Sequence, residues 1–205
     1  MGPLKRERFV TSRCPMTPLG ACGSLAFVKA LATLGRVDQR ALVRIQSLRR
    51  KWLNWPFLLL TYSGTGRVWF TLAAVANVLH WRGVGFVEVQ GVFLHALLGP
   101  LVAWIAGYFL KRLFKRARPS RAIEGLDPLI VPPTCGSFPS SHAAASGAFF
   151  FSLALAGHPL APWVGLWSAL VSFSRLYLGV HFVTDVLGGI LLGLAASLIA
   201  TAFIA

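Results

Sequence analysis

The chain has 205 residues, 56% of them in the hydrophobic set and only 13% charged, with a mean hydropathy of +0.66. An average soluble domain is about 25% charged, so a membrane body is the better reading, and the 15 Phe, 7 Trp and 3 Tyr exclude a disordered chain. The net charge of +14, from 20 Lys and Arg against 6 Asp and Glu, invites a nucleic-acid reading. The positions oppose it: eleven of the basic residues lie in 1–51, while 128–205 hold only Arg175 and Asp185 as charged side chains. No nucleic-acid partner is expected.

In chain order, residues 1–51 form a basic, partly amphipathic segment, and 52–205 a transmembrane domain. The N-terminal stretch lacks a convincing cleavage site and reads as retained. From Asp38 to Tyr62, apolar Leu42, Ile45, Leu48, Trp52 and Trp55 recur near helical spacing among arginines, which suits a helix at a membrane surface. Spans are expected over 86–110, 140–157, 163–178 and 182–204, judged against the ~20 apolar residues that cross a bilayer. Residues 67–81 make a shorter fifth span, and 48–65 a possible sixth that contains Asn54 and Pro56. The fold class is therefore all-α, a multi-pass bundle of five to six spans with its chemistry at one membrane face. The three cysteines, Cys14, Cys22 and Cys135, sit at no metal-ligand spacing and receive no role.

Counting crossings backward brings the end of 86–110, the start of 140–157, the end of 163–178 and the start of 182–204 to the same face. Three polar clusters lie there. The first runs through Lys111, Arg112, Lys115, Arg116, Arg118 and Arg121; Lys111 and Arg118 are seven apart, two turns along one helix. Cations on one side of a helix end form an anion site, although the same run also reads as a positive-inside flank. The second is Pro139, Ser140, Ser141 and His142, at a helix N-terminus that offers free N–H groups to an anion or merely an ordinary cap. The third is Ser174, Arg175, His181 and Asp185. On a helix, a spacing of four lets Asp185 hold one nitrogen of His181 and leave the other free, or makes the pair a staple between helices.

The order Lys111-x6-Arg118-Pro119, Pro139-Ser140-Ser141-His142, Ser174-Arg175-x5-His181-x3-Asp185 resembles the three-part signature of the type 2 phosphatidic acid phosphatase superfamily, over residues 111–185. The resemblance implies that Lys111, Arg118 and Arg175 bind phosphate, with Ser140 and Ser141 as further contacts. His181 would attack phosphorus, Asp185 orient it, and His142 protonate the leaving alkoxide. It implies a phosphohistidine intermediate and no metal or other cofactor, since the cations supply the charge neutralisation. Ser141 stands where the commonest form of the motif has glycine. His80, His95 and His158 match no motif and read as structural or interfacial.

The implied substrate is a membrane lipid phosphate or diphosphate: polyprenyl diphosphate, phosphatidic acid, phosphatidylglycerol phosphate or phosphorylated lipid A. The motif reads phosphate and not the tail. A phosphotransferase of the same superfamily, a vanadium haloperoxidase and a small transporter with an anion site are the rivals, the haloperoxidase disfavoured by the apolar spans. In a bacterial inner membrane, a crossing at 48–65 and an external active face are the expectation, the arrangement common among bacterial relatives. If that segment lies flat instead, N-terminus and active face share one side and the positive-inside tendency makes catalysis cytoplasmic.

Overall fold

A computed structural model describes residues 25–82 and 90–204. They form α1 (Leu25–Ser47), α2 (Lys51–Ser63), α3 (Gly66–Trp81), α4 (Gln90–Phe114), α5 (Pro119–Ala122), α6 (Ser141–Leu155), α7 (Ala161–Tyr177) and α8 (Val183–Ile204), with no strand among the described residues. Helices α4, α6 and α8 pack on one another, α7 packs on α6, α2 lies along α7, and α3 rests against α4 and α6.

The α6–α8 seam is built from small residues. A Cβ on Gly189 would sit 2.5 Å from the Ser140 carbonyl oxygen, and one on Gly193 2.7 Å from both the Ala144 oxygen and the Ala148 nitrogen. With Ser197, these glycines form a small-xxx-small stripe that lets two backbones approach, the way helices associate where lipid supplies no hydrophobic drive. The centre of the seam is polar but uncharged. Ser197 Oγ donates to the Ala148 and Gly193 carbonyls at 2.8 and 3.0 Å and lies 3.2 Å from Ser152 Oγ.

Two helix ends turn on glycine. In α7, Gly179 (φ +75°) follows the last turn, its N–H bonding the Leu176 carbonyl while the Val180 N–H reaches back to Arg175. This Schellman geometry needs a left-handed residue, which glycine adopts without strain. At the end of α6, Gly157 (φ +65°) does the same, and His158 Nδ1 accepts the Leu160 N–H in the following turn.

Two stretches are long and apolar enough to cross a membrane, Ala96–Ala122 and Val183–Phe203; Ser141–Leu155 is apolar but shorter. Five to six crossings are thus not reached by length and composition among the described residues. The amphipathic segment expected from Asp38 to Tyr62 is two helices, broken between Ser47 and Lys51. The stretch expected as a sixth crossing holds only the 13 residues of α2, about 20 Å of helix against the ~30 Å of a hydrocarbon core. Cys14 and Cys22 and the side chains of His80 and His95 lie outside what is described.

Candidate active site

The site assembles where α4 and α7 end and α6 and α8 begin, as the counting of crossings anticipates. Two local expectations are corrected. Lys111 and Arg118 do not share a helix: α4 stops at Phe114, Lys115 takes a left-handed φ of 45°, and Arg118 stands in extended backbone before α5. They still meet, because the chain folds back. Lys111 Nζ donates to the carbonyls of Gly136 and Pro139, and Arg118 donates to those of Cys135 and Val180, both at 3.0 Å. Nor do His181 and Asp185 share a helix. His181 lies in the turn after Gly179, while Asp185 is in the first turn of α8, where its Oδ2 accepts the Phe182 N–H at 2.9 Å. A carboxylate at the third helical position that reaches back to the residue before the helix is half of a capping box. That cap presents Asp185 to His181.

His181 is 2% exposed and Asp185 fully buried. Nδ1 of His181 lies 3.4 Å from Asp185 Oδ2, close but without hydrogen-bond alignment, while Nε2 lies 3.4 Å from Arg118 Nη1. The imidazole therefore stands between a carboxylate on one nitrogen and a guanidinium on the other. Burial, then the nearby Arg175, Arg118 and Lys111, push the His181 pKa well below its ordinary value. A neutral ring keeps an unprotonated nitrogen available for attack.

The positive charges of Lys111, Arg118 and Arg175 act on both His142 and His181. Arg118 and Arg175 are each 3% exposed, and among the described residues none of the three cations makes an ion pair. Arg175 Nη1 donates to Thr61 Oγ1 of α2, while its Nε has no partner. Buried charges normally carry compensating charge. Here two buried guanidiniums and a half-buried ammonium have no carboxylate partner, an arrangement suited to an anion with several acceptor oxygens.

Ser140 immediately precedes α6 and its N–H bonds the Asp185 carbonyl at 2.9 Å, which ties the second motif to the third. Its Oγ is buried without a partner. Ser141 and His142 open the helix, their N–H groups at its positive end. All eight expected site residues thus lie at one end of the bundle. Arg116, named in the basic run but given no role, bonds Asp185 Oδ1 at 2.7 Å, and Asp38 of α1 bonds Arg116 at 2.7 Å. Thr184 and Ser137 complete this shell, and Cys135, exposed, contributes its carbonyl and lies with Sγ 3.5 Å from Arg118 Nη2. No group of residues suited to hold a metal occurs among the described residues.

The sequence pattern of the PAP2 superfamily matches residues 92–205. The chain is 32% identical to phosphatidylglycerophosphatase B of Bacillus subtilis over 158 residues, covering 72% of this chain and 73% of that protein. It is 29% identical to an undecaprenyl-diphosphatase of Sulfolobus acidocaldarius, covering 69% and 66%. The fold matches the crystal structure of a transmembrane PAP2 type phosphatidylglycerolphosphate phosphatase from Bacillus subtilis with a TM-score of 0.68 and 26% identity, over 89% of this chain and 88% of that one. This chain belongs to the PAP2 superfamily. It is an enzyme, a lipid phosphatase of the membrane branch.

Proposed function

We propose that the chain hydrolyses a lipid phosphate monoester or diphosphate through a phosphohistidine, without metal. The observation that carries this reading is His181, held between Asp185 and Arg118, with two buried guanidiniums and the half-buried Lys111 ammonium all lacking carboxylate partners. Lys111, Arg118, Arg175 and the N–H groups of Ser141 and His142 bind the phosphate oxygens. Nε2 of His181 attacks phosphorus, the bond to the leaving oxygen breaks, and His142 gives that oxygen a proton. Asp185 stabilises the charge that develops on the ring. Water then attacks phosphorus, His142 takes its proton, the P–N bond breaks, and inorganic phosphate leaves. Cations aimed at the transferring group supply the charge stabilisation. The relatives named above act on phosphatidylglycerophosphate and undecaprenyl diphosphate, and these head the substrate panel.

For the membrane arrangement we favour five crossings, with α2 and α3 making one between them. α2 starts on the active face, where Asn54 Oδ1 accepts the Tyr177 hydroxyl at 3.0 Å, and descends along α7 until Gly64 meets Val171. Residues 38–49, the end of α1 and the turn after it, lie across the same face, with Leu42 packed among Ala143, Leu176, Phe182 and Val186, and Arg49 bonding the Tyr177 and Asp127 carbonyls. Basic residues from Arg36 to Lys51 and from Lys111 to Arg121 therefore share one side, and Arg82 follows α3 towards the other. The positive-inside tendency makes that crowded side cytoplasmic, the second of the two arrangements open from sequence.

Phosphate release from the lipid panel in detergent and EDTA tests the chemistry. Wild type is expected to release phosphate, and His181→Ala and His142→Ala to be inactive though folded. Turnover by a folded His181→Ala variant would end the phosphohistidine reading. A thiol reagent that cannot cross membranes tests the side, applied to intact cells with Cys135 as the remaining cysteine after Cys14→Ser and Cys22→Ser. Labelling only after permeabilisation is expected; labelling of intact cells places the face outside.

A further inference from the structure

We infer that Asp38 of α1 is a positioning residue of the active site, acting on His181 through Arg116 and Asp185; the inference rests on the phosphatase reading above. Two buried carboxylates share one guanidinium. Arg116 Nη1 donates to Asp185 Oδ1 and Nη2 to Asp38 Oδ2, both at 2.7 Å, with Asp38 3% exposed and Asp185 fully buried. Thr184 closes the bracket: its N–H donates to Asp38 Oδ1 at 3.1 Å, its hydroxyl pairs with Asp38 Oδ2, and it accepts Arg116 Nη1 at 2.6 Å. The guanidinium also lies 4.5 Å over the Phe182 ring, beside His181.

The arrangement has an electrostatic consequence. A guanidinium paired with Asp185 alone would neutralise most of that carboxylate, which must instead stabilise a positively charged His181 during phosphoryl transfer. Asp38 takes up the other edge of the fork, so Arg116 fixes the position of Asp185 while drawing off less of its charge. A planar fork can serve two carboxylates at once in a way an ammonium does not. The consequence reaches beyond one residue, because Asp38 lies outside the three motifs and ties the basic N-terminal helix to the nucleophile.

The test is steady-state phosphate release by the full chain in detergent, comparing wild type, Asp38→Asn, Asp38→Glu, Arg116→Gln and the Asp38→Asn/Arg116→Gln double variant, with His181→Ala as control. Asp38→Asn should lower kcat about tenfold with KM within about twofold, as expected when a transition-state interaction is lost and ground-state binding is kept. Asp38→Glu should recover part of the loss. The double variant should be no slower than Arg116→Gln alone, because the two act in series. Asp38→Asn with wild-type kcat, or losses that multiply in the double variant, overturns the inference. Should asparagine prevent folding, Asp38→Ser replaces it with the same expectations, and failure of both to fold leaves Asp38 a structural tether and also overturns it. An active His181→Ala control would instead sink the phosphatase mechanism, so the two failures are distinguishable.

Discussion

The two halves of the bundle treat buried polarity in opposite ways. In the middle, where α6 and α8 touch, the buried polar groups are serine hydroxyls bonded to helix carbonyls: Ser197 to Ala148 and Gly193, Ser146 to His142. At the end, Arg118 and Arg175 are buried and Lys111 half-buried, all without counter-charge, and Ser140 Oγ and Arg175 Nε are buried without any partner. Neutral, satisfied hydroxyls lose little on burial, whereas each charge in a bilayer-depth helix costs about 2.5–3.5 kcal/mol on insertion scales. The middle is polarity that joins helices. The end is polarity held at a cost in stability for a ligand to use.

That contrast breaks if substitutions at the two places have the same kind of effect. The largest difference is expected at His181→Ala, which should reduce turnover by roughly 10³-fold or more with little change in thermal stability, read as phosphate release per folded protein. Next comes Arg118→Ala, expected to cost about 10²–10³-fold in kcat, the range seen when a donor to developing charge is removed. In the middle, Gly193→Leu should instead lower stability by about 1–3 kcal/mol through overpacking against the Ala144 oxygen and Ala148 nitrogen. Thermal unfolding in detergent measures that loss, and kcat of the folded fraction should stay at wild type. Ser197→Ala is milder, about 1 kcal/mol for one O–H shared between two carbonyls that keep their helix partners. An activity loss in either seam variant that exceeds its loss of folded protein would erase the distinction between the halves.

The smallest effect sharpens the comparison through pH. Burial and the facing cations lower the His181 pKa, so in the free enzyme the ring stays neutral, and nucleophilic, below the ordinary value of about 6.5. As pH falls the ring gains a proton and loses the lone pair, so an acid limb due to His181 should fall below that value in a kcat/KM profile. Removing a cation should move that limb up: Arg175→Met lessens the repulsion of a second positive charge, and the profile of its residual activity should break at higher pH than wild type. A limb that moves down on loss of Arg175 contradicts the assigned electrostatics.

What the sequence by itself determined is the family and the grouping of its candidate site residues. Lys111, Arg118, His142, Arg175, His181 and Asp185 stand at set distances along the chain, with Arg175 and Asp185 the only Asp, Glu, Lys or Arg after residue 127, and apolar spans between them force alternate helix ends to one face. That reasoning needs only helix direction. It misjudged local geometry where it assumed a helix continues: Lys115 breaks α4 with a positive φ, and Gly179 ends α7 so that His181 stands ahead of α8. Only the tertiary structure decided the rest. Asp38 meets Arg116 across 78 residues and Thr184 across 146, and Thr61 meets Arg175 across 114. Such pairs have no period or spacing to betray them, because they depend on how α1 and α2 lie against α7 and α8. A lone aspartate among arginines reads as a surface charge until packing buries it beside Arg116 and Thr184.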